Sequence, residues 1–173
     1  MNFYCDEKVD GDKLILAYIY FSDISTNEIS SFLRNIHKEN KIFRFHASED
    51  MGDKKTRKDA IRLKNYIENN ISKFCHEKKV VYSSKRFLHE IDAYKWIAQE
   101  MLKLNGLVLH RDDGKFKKGE ENKIKNFFHQ NKIKIISHTK DQTAKIAQII
   151  GIVDYILHFD IKLYNSIRKI KRP

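Results

Sequence analysis

A chain of 173 residues with 41% hydrophobic and 12% aromatic content can bury one real core, so disorder is excluded and a single domain spanning 1–173 is expected. The formal charge of +11 is uneven: residues 1–50 hold 6 basic and 9 acidic side chains, leaving 28 against 14 for residues 51–173. No stretch approaches about 18 consecutive apolar residues and no basic segment precedes an apolar run at the N-terminus, so neither a membrane span nor a secretory leader is expected.

In chain order, residues 2–7 read as a short strand and 14–21 as a longer one, joined through Val9-Asp10-Gly11-Asp12, where Asp-Gly between two apolar runs signals a hairpin. Ser25-Thr26-Asn27-Glu28 is a capping box, and Ile29, Phe32, Leu33 and Ile36 follow at helical spacing toward Asn40. A third strand is expected over 42–46, then a polar loop and a long helix whose apolar stripe is Ala60, Leu63, Ile67, Ile71 and Phe74. Residues 80–82 give a fourth strand. Leu88, Ile91, Ala98, Met101 and Leu102 mark a helix of about five turns. A fifth strand at 107–110, a helix with Ile124, Phe127 and Phe128, a sixth strand at 133–136 and an apolar terminal helix complete the series. Two early antiparallel strands followed by alternating strands and helices imply an α/β domain with a mixed sheet of about six strands flanked by helices.

The terminal helix is apolar nearly all round, and its stretch 146–157 carries one charge, Asp154. A helix of that kind is buried, so the carboxylate must be paired, neutral or a ligand. Its bland role is an acid bonded to a backbone amide or a nearby lysine. Ligands in such sheets collect beyond the carboxyl ends of strands, and two of those ends carry acids: Asp6-Glu7 after the first strand and Asp112-Asp113 after the fifth. Asp6, Asp112 and Asp154 therefore come from distant parts of the chain to places that can face one crevice. Hard oxygen ligands from several elements suit Mg²⁺ or Mn²⁺, which bridge to phosphate oxygens. Glu7 is a further candidate ligand, with Glu49 and Asp113 in reserve.

The basic residues cluster in Lys54, Lys55, Arg57 and Lys58, in Lys115, Lys117 and Lys118, and in Arg168, Lys169, Lys171 and Arg172. Nucleic acid is the expected partner, since phosphates give such clusters strong, salt-dependent binding. The alternative is compositional, with lysines solvating helix faces. His46 is placed to act as a ligand or as a proton donor near a leaving group, or else as a satisfied histidine at a sheet edge. His110 lies inside its strand and is set aside. Trp96 and the tyrosines at 18, 20 and 94 are expected in the core. Cys5 and Cys75 show no C-x-x-C or metal-type spacing, which points away from zinc or a disulfide framework and toward a reducing, cytoplasmic compartment. No Gly-rich phosphate loop and no serine or cysteine nucleophile motif appears.

Tyr4-Cys5-Asp6-Glu7, the segment Phe43-Arg44-Phe45-His46-Ala47-Ser48-Glu49, Val80-Val81-Tyr82-Ser83-Ser84-Lys85, Leu107-Val108-Leu109-His110-Arg111-Asp112-Asp113-Gly114 and Gly151-Ile152-Val153-Asp154-Tyr155 together resemble the domain-of-unknown-function 3800 family. The resemblance spans nearly the whole chain through short motifs. It implies a ribonuclease H-like fold and, by analogy, divalent-metal nuclease chemistry in a bacterial protein. The chain departs from the family pattern at Lys8, where a Ser is usual, at Arg44, where an acid is usual, and at Gly151, where a Gln is usual. In a ribonuclease H topology the strand beside the first often ends in an acid, whereas 80–82 runs into Ser83, Ser84 and Lys85. The expected activity is metal-dependent hydrolysis of phosphodiester bonds, with His46, Asp6, Asp112 and Asp154 as catalytic residues. Its rivals are a catalytically inactive nucleic-acid-binding module of the same fold and a protein-interaction factor in bacterial or phage defence or counter-defence.

Overall fold

The protein is described by a computed structural model over residues 2–21, 31, 34–35, 47–52, 54, 56–78, 80–112, 116–117, 119–138 and 145–159. Strands β1 (Asn2–Asp10), β2 (Lys13–Phe21), β3 (Val80–Phe87), β4 (Val108–Asp112) and β5 (Lys134–His138) form one five-stranded sheet in the order β3-β2-β1-β4-β5. Strand β2 runs antiparallel to its neighbours β1 and β3, and β4 and β5 are parallel to β1. Helices α1 (Ala47–Gly52), α2 (Arg57–Lys78), α3 (Glu90–Lys103), α4 (Glu121–Gln130) and α5 (Lys145–His158) cover both faces.

Alternation along the strands makes the two faces. On one, Tyr4, Ala17 and Ile19 pack against Ile149, Val153 and Ile156 of α5, and against Ala47, Ala60, Leu63 and Ile67 of α1 and α2. Helix α5 thus lies between the sheet on one side and α1 with α2 on the other, which is why it is apolar nearly all round. On the opposite face Phe3, Cys5, Leu16, Tyr18 and Tyr20 meet Tyr94, Ile97 and Met101 of α3 and Ile124 and Phe128 of α4. This second core is aromatic: the Phe3 ring stacks on Tyr20 at 4.6 Å and lies 5.1 Å from Tyr18.

Two turns depend on particular residues. Asp10 pairs with Lys13, so the β1–β2 loop has two residues, and Gly11 takes the first at φ 64°, where a side chain is disfavoured. Helix α3 ends with Asn105 at φ 54° and the Gly106 N–H donating to Met101 O at 2.7 Å, a left-handed cap that satisfies an end carbonyl. A Cβ on Gly106 would sit 2.6 Å from Phe3 Cε2, so the chain passes too close to the aromatic core for any side chain there.

Several expectations change. Strand β1 continues to Asp10 because the hairpin prolongs its pairing with β2, so Asp6 and Glu7 lie within the strand. Residues 47–52, expected as loop, form α1. Helix α3 begins at Glu90, and Leu88 and Leu102 are exposed rather than core-facing. The expected strand at 42–46 lies outside the described residues, as does the helix after the capping box except Ser31, Arg34 and Asn35, which are helical. The strand beginning at Val80 pairs with β2 at the sheet edge, not with β1. The parallel neighbour of β1 is β4, which ends in Asp112, so the expected missing acid is present in that place.

Candidate functional site

Pairing of β1 with β4 stops at Cys5 and Arg111, while β1 continues, and a crevice opens beyond the end of β4. Period two then divides the residues at this edge between the faces. Asp6 and Asp112 follow Tyr4 and His110 to the α5 face, while Glu7 and Arg111 follow Phe3 and Leu109 to the aromatic face. A pocket of about 330 Å³ takes in both sets, lined by Asp6, Glu7, Lys8, Arg111, Asp112, Asp154 and His158 among others.

On the α5 face, Asp6 is half-buried by exposed area but closely surrounded by protein. Its carboxyl is held well above the usual range, first by burial and then by the negative charge of Asp154, with Asp112 and Glu7 adding to the same effect. The Glu7 N–H, donating to Asp6 Oδ1 at 2.8 Å, opposes that rise. Asp154 projects from α5, and its Oδ2 accepts the Ala47 N–H at 2.7 Å, securing the first amide of α1. The helix therefore delivers its lone acid to the pocket, bonded to a backbone amide and facing another acid. Lys8, on the same face of β1, donates through Nζ to His158 O at the end of α5 at 3.4 Å.

On the aromatic face, Arg111 is only 3% exposed. Its Nε donates to Tyr94 Oη at 2.8 Å, its Nη2 lies 3.8 Å from Glu7 Oε1, and its guanidinium carbon sits 4.0 Å from the Phe116 ring centroid. Tyr94 Oη in turn donates to Glu7 Oε2 at 3.2 Å. Buried Glu90 accepts the Lys117 N–H at 2.7 Å, and Glu120 Oε2 accepts the Ile91 N–H at 3.1 Å, so the starts of α3 and α4 are clasped together beside the pocket. Burial raises the Glu90 carboxyl, and the Lys117 amide partly offsets it.

Lys54, Arg57 and Lys58 are exposed where α1 passes to α2, and Arg57 Nε donates to Met51 O at 3.0 Å. Lys117 is exposed, next to the start of α4, and its backbone N–H is the one held by Glu90. His46, Lys55, Asp113, Lys115, Lys118 and the side chain of Glu49 lie outside the described residues, as do Arg168, Lys169, Lys171 and Arg172. His110 is buried, stacked on Tyr4 at 5.1 Å and bonded through Nδ1 to His138 Nε2 at 2.8 Å. Sequence reasoning places Tyr94 in the core, where it is buried, but gives it no role at the site, and it passes over Arg111 and Glu90; the signal for Arg111 is a charge inside the apolar strand β4.

Among the described residues no three His, Cys, Asp or Glu side chains form a group that could hold a metal ion as they stand. The donor chemistry nonetheless fits a hard divalent cation. The charge of Asp154 raises the cost of ionising Asp6, and Mg²⁺ binds through one or two carboxylates while retaining waters and taking phosphate oxygens. Among the described residues no helix is long and apolar enough to cross a membrane.

No family model matches the chain, and no curated protein matches it in sequence. Among solved structures it is similar to the RNase HII in the complex of PCNA and RNase HII from Archaeoglobus fulgidus, at a TM-score of 0.50 and 10% identity, covering 93% of this chain and 74% of that one. The fold is ribonuclease H-like, with a mixed sheet flanked by helices.

Proposed function

We propose that the chain is a divalent-metal-dependent, nuclease-like protein that hydrolyses phosphodiester bonds of nucleic acid, with Mg²⁺ or Mn²⁺ held by Asp6 and Asp154 and joined by Asp112. The observation that carries this reading is Asp6, whose neighbouring charges are the acids Asp154, Asp112 and Glu7 in a pocket at the end of β4. Crowded anions of that kind are stabilised by a cation. The ribonuclease H-like fold, shared with an RNase HII, supports a nucleic-acid substrate, and the motifs quoted above support placement in the domain-of-unknown-function 3800 family.

A divalent cation bound there compensates charge on the phosphoryl oxygens and lowers the pKa of the attacking water. The chain's own residues do the rest. Asp6 and Asp154 would hold the ion, the first oriented by the Glu7 amide and the second by the Ala47 amide. Lys54, Arg57, Lys58 and Lys117, with Lys55, Lys115 and Lys118 beside them in sequence, seat the strand through its phosphates. His46 is assigned the proton to the leaving oxygen.

The test is cleavage of RNA, DNA and hybrid oligonucleotides with Mg²⁺ or Mn²⁺. Asp154→Asn should lower metal-dependent cleavage at least about a hundredfold, in the range of losing a residue that acts directly on the reacting centre. Its melting temperature should stay equal or rise, because Asn can still accept the Ala47 N–H while one crowded charge is gone. Undiminished cleavage by Asp154→Asn would remove this residue from the site. A second reading, a binding module without chemistry, is favoured by the bond that Asp154 already makes to Ala47 and by the absence of a three-ligand group among the described residues. It predicts salt-dependent oligonucleotide binding with no response to Mn²⁺.

A further inference from the structure

We infer that Glu7 is a positioning residue that fixes Asp6 from the far side of the sheet, and not a ligand of the metal. The inference rests on the metal reading of Asp6 given above. It starts from alternation: Asp6 points to the α5 face and Glu7 to the aromatic face, so adjacent carboxylates part company at β1.

On its own face Glu7 is held by Tyr94 Oη at 3.2 Å and faces Arg111 Nη2 at 3.8 Å, while Arg111 Nε donates to Tyr94 Oη at 2.8 Å. The three groups close a ring of interactions over which Phe116 lies. If the Glu7 carboxylate swung away to bind a cation, a guanidinium that is 3% exposed would lose the carboxylate that faces it, and weakening the pairing of a buried charge is unfavourable. The Glu7 N–H meanwhile donates to Asp6 Oδ1 at 2.8 Å. A side chain clamped on one face thus steadies the peptide whose amide orients the carboxylate on the other, the role that outer groups serve around metal ligands.

Metal-free wild type, Asp6→Asn, Glu7→Gln and Glu7→Ala are titrated with Mn²⁺, with free and bound ion read by electron paramagnetic resonance. Asp6→Asn should weaken binding at least about tenfold, the scale on which metal sites respond to such changes. Glu7→Gln should stay within about threefold of wild type, because the backbone amide of residue 7 is unchanged and the Gln oxygen can still accept from Tyr94 Oη. Glu7→Ala, which removes the clamp, should broaden the spectrum of the bound ion, a change that Glu7→Gln rescues. Loss of Mn²⁺ affinity in Glu7→Gln equal to that in Asp6→Asn overturns the inference. If the wild type binds no Mn²⁺, the metal reading fails, and the role of Glu7 is decided by melting of Glu7→Gln, Arg111→Lys and the double variant. Non-additive shifts support the clamp, and additive ones overturn it.

Discussion

The two faces of the sheet handle charge in opposite ways, although the same strands supply both. On the aromatic face the acids meet donors: Glu7 has Tyr94 and Arg111, and Glu90 has the Lys117 amide. On the α5 face Asp6 meets other acids, with its own neighbouring amide to moderate them. Buried charge that is matched by donors belongs to folding, whereas carboxylates that repel one another destabilise the protein until a cation or a proton offsets them. A one-residue step along β1, from Asp6 to Glu7, crosses from one regime to the other. The contrast between the faces, more than the number of acids, points to the α5 side as the site.

Removing one partner on the aromatic face should have the largest effect. Arg111→Met keeps an unbranched side chain against Phe116 but leaves Glu7 without its guanidinium, and should cost about 3 kcal/mol in denaturant unfolding. Asp154→Asn on the other face should cost nothing. Should both variants lose stability alike, the α5 face is an ordinary paired core and the distinction between the faces disappears.

Packing differs between the faces as well. Gly106→Ala places a methyl group 2.6 Å from Phe3 Cε2 and 3.1 Å from Met101 Cβ, in a core of interlocked rings that cannot give way cheaply. A loss of about 1 to 3 kcal/mol is expected, measured by thermal or urea unfolding. A neutral result would mean that the Phe3 ring moves freely and that the aromatic face is looser than its stacking distances imply.

The elements that define this arrangement were legible from local pattern. Apolar strands that run into acids, and an apolar helix with one Asp, point to Asp6, Asp112 and Asp154, which line one pocket. What was not legible is non-local. The cap on α1 comes from Asp154, 107 residues away, so 47–52 carried no capping signal of its own. The edge position of β3 is a matter of sheet order, which periodicity does not encode. The division of Asp6 from Glu7 did lie within reach of a period-two reading. What hides it is the strand's length: two adjacent acids resemble the end of a short strand, whereas the hairpin extends β1 three residues past Glu7.

Acid, too, separates groups that differ in kind. His110, buried against Tyr4, has its pKa pushed down to about 4, first by burial and then by His138 and Lys134. Burial lowers His138 as well. The unfolded chain takes up these protons near pH 6.5 while the native state resists, so the stability contributed by the neutral pair is complete above about pH 6.5. It is lost as pH falls toward about 4, by on the order of 2 kcal/mol. Asp6 acts with the opposite sign: its raised pKa means that the native state gains a proton before the unfolded chain does, so acid relieves the repulsion from Asp154. His110→Phe, which keeps a ring against Tyr4, should therefore flatten the decline in stability between pH 7 and 4.5. Asp6→Asn should steepen it, because the compensating proton uptake is gone. Unfolding free energies across that range check both slopes, and a decline that is unchanged in Asp6→Asn would mean that Asp6 does not feel the charge of its neighbours.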